Sequence, residues 1–233
     1  MLEITDLQFG YSTQPLFDKV SLYQKPGEVL ALVGPSGSGK STLFNLLTGR
    51  VRKGYEGVIS INGLSPPKAT HLLTYMTQQD LLLPWRTVLE NLLLLVELKE
   101  GSLFKGIKHF EKENNALYVR AKELIEEVGL AGFEEYFPHQ LSGGMKQRVC
   151  LARSLFQLRP LLLLDEPFGS LDRKRRQEMY LLLHRVKQKY KLTIFFITHD
   201  VYDLAELADR VYFLDEGKIK EIAPTTDMKV HVC

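Results

Sequence analysis

Two cysteines, Cys150 and Cys233, are all that the 233 residues contain. That excludes a disulfide-stapled fold and fits a reducing compartment. Long apolar runs are equally missing. The longest are Leu81–Leu83, Leu92–Val96, Leu161–Leu164 and Ile194–Ile197, against the roughly 20 apolar residues a spanning helix needs. A protein of this kind works at a membrane only if a partner holds it there. The start, MLEITDLQFGY, carries Glu3 and Asp6 and no basic-then-apolar stretch, so no secretory leader is expected. Charge of one sign is scarce too: 30 Lys plus Arg against 28 Asp plus Glu leave a formal +2. This gives no support for a broad nucleic-acid-binding surface. The six histidines form no HExxH and no cysteine pairing, so they offer no zinc site. What remains, 45% hydrophobic and 25% charged, is an ordinary globular balance. It rules out a disordered tail, a collagen and a coiled-coil rod, and the length allows one large domain or two small ones.

The positive signals begin with strands. Leu2, Ile4, Leu7 and Phe9 alternate loosely, and Val20 and Leu22 begin a second alternation before the turn at Pro26–Gly27. Val29–Val33 is a continuous apolar run, the mark of a strand buried on both faces of a parallel sheet. It ends in a glycine-rich loop, after which STLFNLLTGR predicts a helix with Leu43, Leu46 and Leu47 on one side and Gly49 as its stop. A further strand over 57–62 ends at the turn Asn62–Gly63. Residues from about 86 to 130 read as helical with Gly129 as a stop, interrupted by the polar stretch Lys99–Asn115, a surface excursion. An amphipathic helix follows Gly143–Gly144, and Leu161–Leu164 and Thr193–Thr198 are two more buried strands. Strand and helix alternate at both ends around a helical middle, which predicts an α/β fold with an inserted helical subdomain.

Gly34-Pro-Ser-Gly-Ser-Gly39-Lys40-Ser41 satisfies GxxxxGK[ST] between that strand and that helix, the context that gives the pattern its meaning. The bare pattern arises by chance in roughly one chain in a hundred of this size. Glycines let backbone N–H groups face an anion with no Cβ in the way, at a helix N-terminus. Lys40 would supply a point charge to the β- and γ-phosphates and the Ser41 hydroxyl a Mg²⁺ ligand. A nucleoside triphosphate is the expected ligand. Asp165 and Glu166 lie just past the strand Leu161–Leu164, and ligands of open α/β sheets bind beyond the carboxyl ends of the strands. Asp165 is the candidate for holding Mg²⁺ through water, and Glu166 for the general base.

Leu141-Ser-Gly-Gly-Met-Lys-Gln-Arg148 resembles the LSGGQ signature of the ABC-transporter ATPases. Other motifs of that family follow in order: Tyr11 for the aromatic A-loop, Gln78 for the Q-loop, Asp165–Glu166 for Walker B, Ser170-Leu171-Asp172 for the D-loop and His199 in ITHD for the switch histidine. The resemblance spans residues 1 to about 222. It implies one ABC-type P-loop domain over 1–233, with a RecA-like core at about 1–78 and 158–233, an N-terminal antiparallel β subdomain and a helical subdomain at about 79–157. It further implies that Gly34, Ser36, Gly37, Ser38, Gly39, Lys40, Ser41 and Thr42 bind ATP while Tyr11 stacks on adenine. Ser142, Gly143, Gly144 and Asp172 would reach the nucleotide of a second copy in a head-to-tail sandwich. Glu166, His199 and Gln78 are the implied catalytic residues, and Ser41, Gln78 and Asp165 the implied Mg²⁺ ligands. Met145 replaces the usual glutamine, a variation seen in importer subgroups.

The stretch QQDLLLPWRTVLENL resembles that of ATPases serving nitrate, sulfonate, taurine and thiamine-precursor importers. The implied partners are a second ATPase subunit, transmembrane permease subunits and, through them, a solute-binding protein, at the cytoplasmic face of the membrane and without nucleic acid. Pro84–Trp85 would line the permease-docking cleft, the alternative being a tryptophan packed inside the helical subdomain. Lys99–Asn115 is longer than that subgroup leads one to expect. The other classes weighed are an ABC exporter or lipid-extraction ATPase and a non-transport ABC ATPase. Cys150 is expected in the core, and the run Arg173–Arg176 on the solvated start of a helix.

Overall fold

The computed structural model describes residues 1–11, 15–52, 54–100, 116–169 and 171–223. The expected excursion Lys99–Asn115 falls, from 101 onward, outside them, as does Ser170. The chain divides into two compact units: Met1–Gln78 with Arg159–Gly169 and Leu183–Cys233, and Gln79–Leu158 with Ser170–Leu182.

The first unit holds two sheets. Strands β1 (Leu2–Phe9), β2 (Phe17–Gln24) and β4 (Tyr55–Ile61) form an antiparallel sheet in the order β2-β1-β4. β1 buries the apolar residues of its alternation, Leu2, Ile4, Leu7 and Phe9, and exposes Glu3 and Thr5, the pattern of a sheet with one covered face. The second sheet combines β3 (Val29–Val33), β5 (Leu73–Met76), β6 (Leu161–Asp165), β7 (Thr193–Ile197), β8 (Arg210–Asp215) and β9 (Lys218–Ile222) in the order β5-β6-β7-β3-β8-β9. All neighbours are parallel except the hairpin β8–β9. Every residue of β3, β6 and β7 is buried, which is why these strands read as unbroken apolar runs. Short helices α1 (Lys40–Leu47) and α2 (Pro66–Ala69) also belong here, and α1 turns Leu43, Phe44, Leu46 and Leu47 into a core shared with both sheets.

In the second unit, helices α3 (Val88–Glu100), α4 (Ala116–Glu127) and α5 (Gly143–Phe156) pack pairwise. Their buried faces carry Leu89, Leu92 and Leu93, then Leu124 and Ile125, then Val149 and Ala152. The segment before α3 is pinned by polar bonds. The fully buried Asn91 amide donates to the carbonyls of Leu83, Arg86 and Thr87 and accepts from the Leu83 N–H. Arg86 meets buried Glu97 at 2.7 Å. Cys150 is buried as expected, and its Sγ also donates to the Asp80 carbonyl at 2.9 Å, its thiol pushed up to about 12 by burial. Trp85 is 69% exposed, so the alternative of a tryptophan packed inside this unit is not what the chain adopts. Helix α6 (Arg173–Tyr190) opens with Arg173, Lys174 and Arg175 exposed. No helix among the described residues is long and apolar enough to cross a membrane.

Candidate functional site

Because β3, β5, β6 and β7 run parallel, their carboxyl ends lie along one edge of the sheet. The loops leaving that edge carry Gly34–Gly39, Gln78, Glu166 and His199. A cleft of about 610 Å³ opens there within the first unit, lined by Tyr11, Lys40, Ser41, Gln78, Glu166 and His199 among others. Gly34, Ser36, Gly37, Gly39 and Thr42 complete its wall together with Leu16 and Ile197.

The glycine-rich loop is built to approach an anion. Gly37 and Gly39 have φ of 82° and 102°, values that favour glycine. Gly39 is the N-cap of α1 with no side-chain cap, so the first amides of that helix have no side-chain acceptor. Lys40 Nζ donates back to the carbonyls of Gly34 (2.8 Å) and Pro35 (2.7 Å), which holds the ammonium across the loop. Burial lowers the Lys40 pKa, and the charges of Glu166 and Asp165 oppose that shift. Ser38 Oγ is buried and has no hydrogen-bond partner. A Cβ on Gly34 would lie 2.0 Å from the Leu214 carbonyl oxygen. Gly34→Ala is therefore expected to destabilise the protein by about 3 kcal/mol through overlap and backbone strain. That corresponds to a melting point about 6–12 °C lower in thermal denaturation.

Two carboxylates face this loop in different settings. Asp165 ends β6, is 7% exposed, and accepts from the Tyr75 hydroxyl at 2.8 Å. Burial raises its pKa, an effect opposed by hydrogen bonds from Tyr75 and Ser41 and by the Lys40 charge. Burial and the Asp165 carboxylate push the Tyr75 phenol up in turn, so it stays protonated and donates. Glu166 is more open and has φ 47°, an uncommon backbone for a non-glycine residue, with its N–H held by the Ile197 carbonyl at 3.0 Å. This turn swings its carboxylate between two flanking groups: Gln78 Nε2 donates to Oε2 at 2.9 Å, and His199 Nδ1 lies 3.6 Å from Oε1. The histidine loop is itself braced. The Thr198 hydroxyl donates to buried Asp203 and accepts from the Asp200 N–H, and Asp200 caps helix α7 (Val201–Leu207).

The arrangement matches the chemistry of a phosphoryl site. The ammonium and uncapped amides suit a polyphosphate. The Ser41 hydroxyl and the Glu166 carboxylate beside Asp165, and the amide oxygen that Gln78 carries into the same cleft, are hard oxygens of the kind Mg²⁺ prefers. Tyr11, 70% exposed with its ring edge-to-face on Phe9 at 5.0 Å, presents a free aromatic face at the cleft.

Four further site candidates lie in the second unit. Ser142 is the N-cap of α5, its Oγ accepting from the Met145 N–H at 3.3 Å, with Gly143 and Gly144 in the first turn. Asp172 accepts from the Arg175 N–H at 3.0 Å and pairs with its guanidinium at 3.3 Å, so it caps α6. Sequence reasoning missed Tyr75, Leu16 and Ile197. Leu16 and Phe17 lie directly under Gly39, where a Cβ would meet the Phe17 ring at 2.8 Å.

A family model described as ABC transporter matches residues 17–169. The aliphatic sulfonates import ATP-binding protein of Rhodococcus jostii (strain RHA1) is 38% identical over 222 residues, covering 95% of this chain and 82% of that protein. The taurine import ATP-binding protein of Pseudomonas savastanoi pv. phaseolicola is 37% identical over 222 residues, covering 94% and 80%. Among solved structures, the dimeric ATP-binding cassette MJ0796 bound to ADP and Pi superposes with a TM-score of 0.77 at 29% identity, covering 97% of this chain and 99% of that one.

Proposed function

From the premise that the chain belongs to the ABC transporter ATP-binding family, we propose that it is the subunit that energises an importer of the sulfonate, taurine, nitrate or thiamine-precursor class. It is an ATPase, as its family and its import ATP-binding relatives are. The observation that carries the catalytic assignment is Glu166, flanked by Gln78 at 2.9 Å and His199 at 3.6 Å in the same cleft as Lys40.

In this reading the loop Gly34–Thr42 wraps the phosphates of ATP, Lys40 neutralises the β- and γ-phosphates, and Tyr11 stacks on adenine. Ser41, Asp165 and Gln78 would hold Mg²⁺, which when bound neutralises charge developing on the β- and γ-oxygens. Glu166 takes a proton from the attacking water, Gln78 aligns that carboxylate, and His199 holds the γ-phosphate while orienting Glu166. Ser142 and the amides of Gly143–Gly144 in a second copy approach the same γ-phosphate, with Asp172 beside them. A chain alone then lacks part of its transition-state electrostatics. Losing the γ-phosphate weakens the closed dimer, and that difference in affinity between closed and open states is what a permease partner can read. Exposed Trp85 beside Pro84 is the proposed docking point for that permease, at the cytoplasmic face, with a solute-binding protein supplying the solute. The relatives' names as import ATP-binding proteins and the LLPWRTVLENL stretch support the importer class.

Affinity-tagged Glu166→Gln protein, isolated with ATP and Mg²⁺ from detergent-solubilised membranes of the source cell, is expected to bring a polytopic permease with it in mass spectrometry. Recovery of soluble or ribosomal partners alone would leave the ATPase standing and overturn the importer reading.

A further inference from the structure

Tyr75 was invisible as a site residue in the sequence, yet it contacts Asp165, the more buried of the two carboxylates that face the glycine-rich loop. It lies on β5, pairing in register with Leu163 of β6. Leu163 and Asp165 are two apart on β6 and so point to the same face of the sheet, which sets the tyrosine ring diagonally beside Asp165. Its hydroxyl donates to Asp165 Oδ2 at 2.8 Å. The ring is not free to leave: Phe44 of α1 packs edge-on at 5.7 Å, and the Arg50 guanidinium sits 4.8 Å from the ring centre. The donor is thus held by Phe44 of the helix that follows the phosphate loop and by Arg50 just beyond that helix.

An aspartate carboxylate turns about a broad, roughly two-fold torsion, and a group that holds a metal through water must point one way to do so. Partners behind a metal ligand set that orientation, and their removal typically costs about 10–100-fold in metal affinity or activity. Resting on the nucleotide-site reading above, we propose that Tyr75 is a positioning residue of this ATPase, its phenol clamping Asp165 Oδ2 so that the carboxylate is preset for a divalent cation. Lys40, Ser41 and Glu166 act on the same carboxylate from the phosphate-loop side and from the next residue, so Tyr75 is the donor supplied by the neighbouring strand. The residue touches neither nucleotide nor water in this role and acts through Asp165 alone.

Tyr75→Phe removes the donor and keeps the ring between Phe44 and Arg50. The experiment titrates Mn²⁺, a paramagnetic substitute for Mg²⁺, into full-length protein saturated with a non-hydrolysable ATP analogue and reads free Mn²⁺ by electron paramagnetic resonance. Analogue affinity is measured separately in chelator. The expected result is Mn²⁺ binding weaker by about tenfold, the low end for a partner behind a ligand, with analogue affinity in chelator unchanged. In an Asp165→Ala background the same tyrosine change should add no further loss, because the carboxylate it held is gone. Unchanged Mn²⁺ affinity in Tyr75→Phe overturns the proposal and leaves the nucleotide site standing. Equal weakening of analogue and Mn²⁺, or a full additional loss in the Asp165→Ala background, reduces Tyr75 to a packing residue and overturns it as well. If wild-type protein gains no analogue-dependent Mn²⁺ site, the metal assignment of Asp165 falls and the proposal with it.

Discussion

Glu166→Gln is expected to lower ATP turnover at saturating Mg²⁺ and ATP at least a hundredfold while ATP affinity stays within about twofold of wild type, the loss typical of a removed general base. Glutamine keeps the size of the side chain and an oxygen that still accepts from Gln78 Nε2, now at 2.9 Å. It keeps the backbone at φ 47° as well, since that turn is held by the Ile197 carbonyl rather than by the carboxylate. What disappears is the negative charge that would take the proton, in a position where His199 Nδ1 at 3.6 Å is the next basic group. With hydrolysis stopped, the ATP-bound closed form should accumulate, visible as a doubling of apparent mass in size-exclusion chromatography run in ATP. Turnover near wild type in a phosphate-release assay would remove Glu166 from the base role and shift it to His199 or to the nucleotide itself.

The second large effect is on binding. Lys40→Ala is expected to weaken ATP by about a hundredfold, since truncating one partner of a partly buried, hydrogen-bonded charge pair costs about 2–5 kcal/mol and each 1.4 kcal/mol is tenfold. The ammonium stands between loop carbonyls, to which it donates at 2.8 and 2.7 Å, and the charges of Glu166 and Asp165. Removing it leaves two carboxylates facing a polyphosphate with no lysine or arginine among the described residues that line the cleft. Equilibrium binding of a fluorescent ATP analogue measures this directly. Retained melting temperature separates the result from unfolding, because Lys40 is half-buried at the start of α1 and contributes nothing to the apolar core. Binding within threefold of wild type would put the phosphates elsewhere in the cleft.

Much of the candidate site was legible because its residues are consecutive in the chain. The loop Gly34–Ser41 needs glycine at φ-positive positions, a lysine and a hydroxyl in fixed order, and such local demands survive in any reading of the chain. The buried strands β3, β6 and β7 were legible for a different reason: a parallel strand covered on both faces has no polar side to break its apolar run. Elements with weaker local signals escaped notice. β5 has four residues and no clean alternation, and β8 and β9 were not read at all: β9 is a charged, half-exposed edge strand that resembles polar loop, while the short apolar run Val211–Leu214 of β8 went unread although it is mostly buried.

The order of motifs along the chain, the phosphate loop, the carboxylate pair after β6 and the α/β class were determined by the sequence alone, since each rests on neighbours in the chain. Tertiary structure decided which of these groups meet. Parallel pairing of β5 with β6 brings Tyr75 to Asp165 across 90 positions of sequence. The left-handed turn at Glu166 aims its carboxylate between Gln78 and His199, which come from the ends of β5 and β7. The exposure of Trp85 depends in the same way on what the second unit's helices leave uncovered. Propensity and spacing act over a few residues, whereas a side chain's partner is set by strand register, and register is fixed only when the sheet has formed.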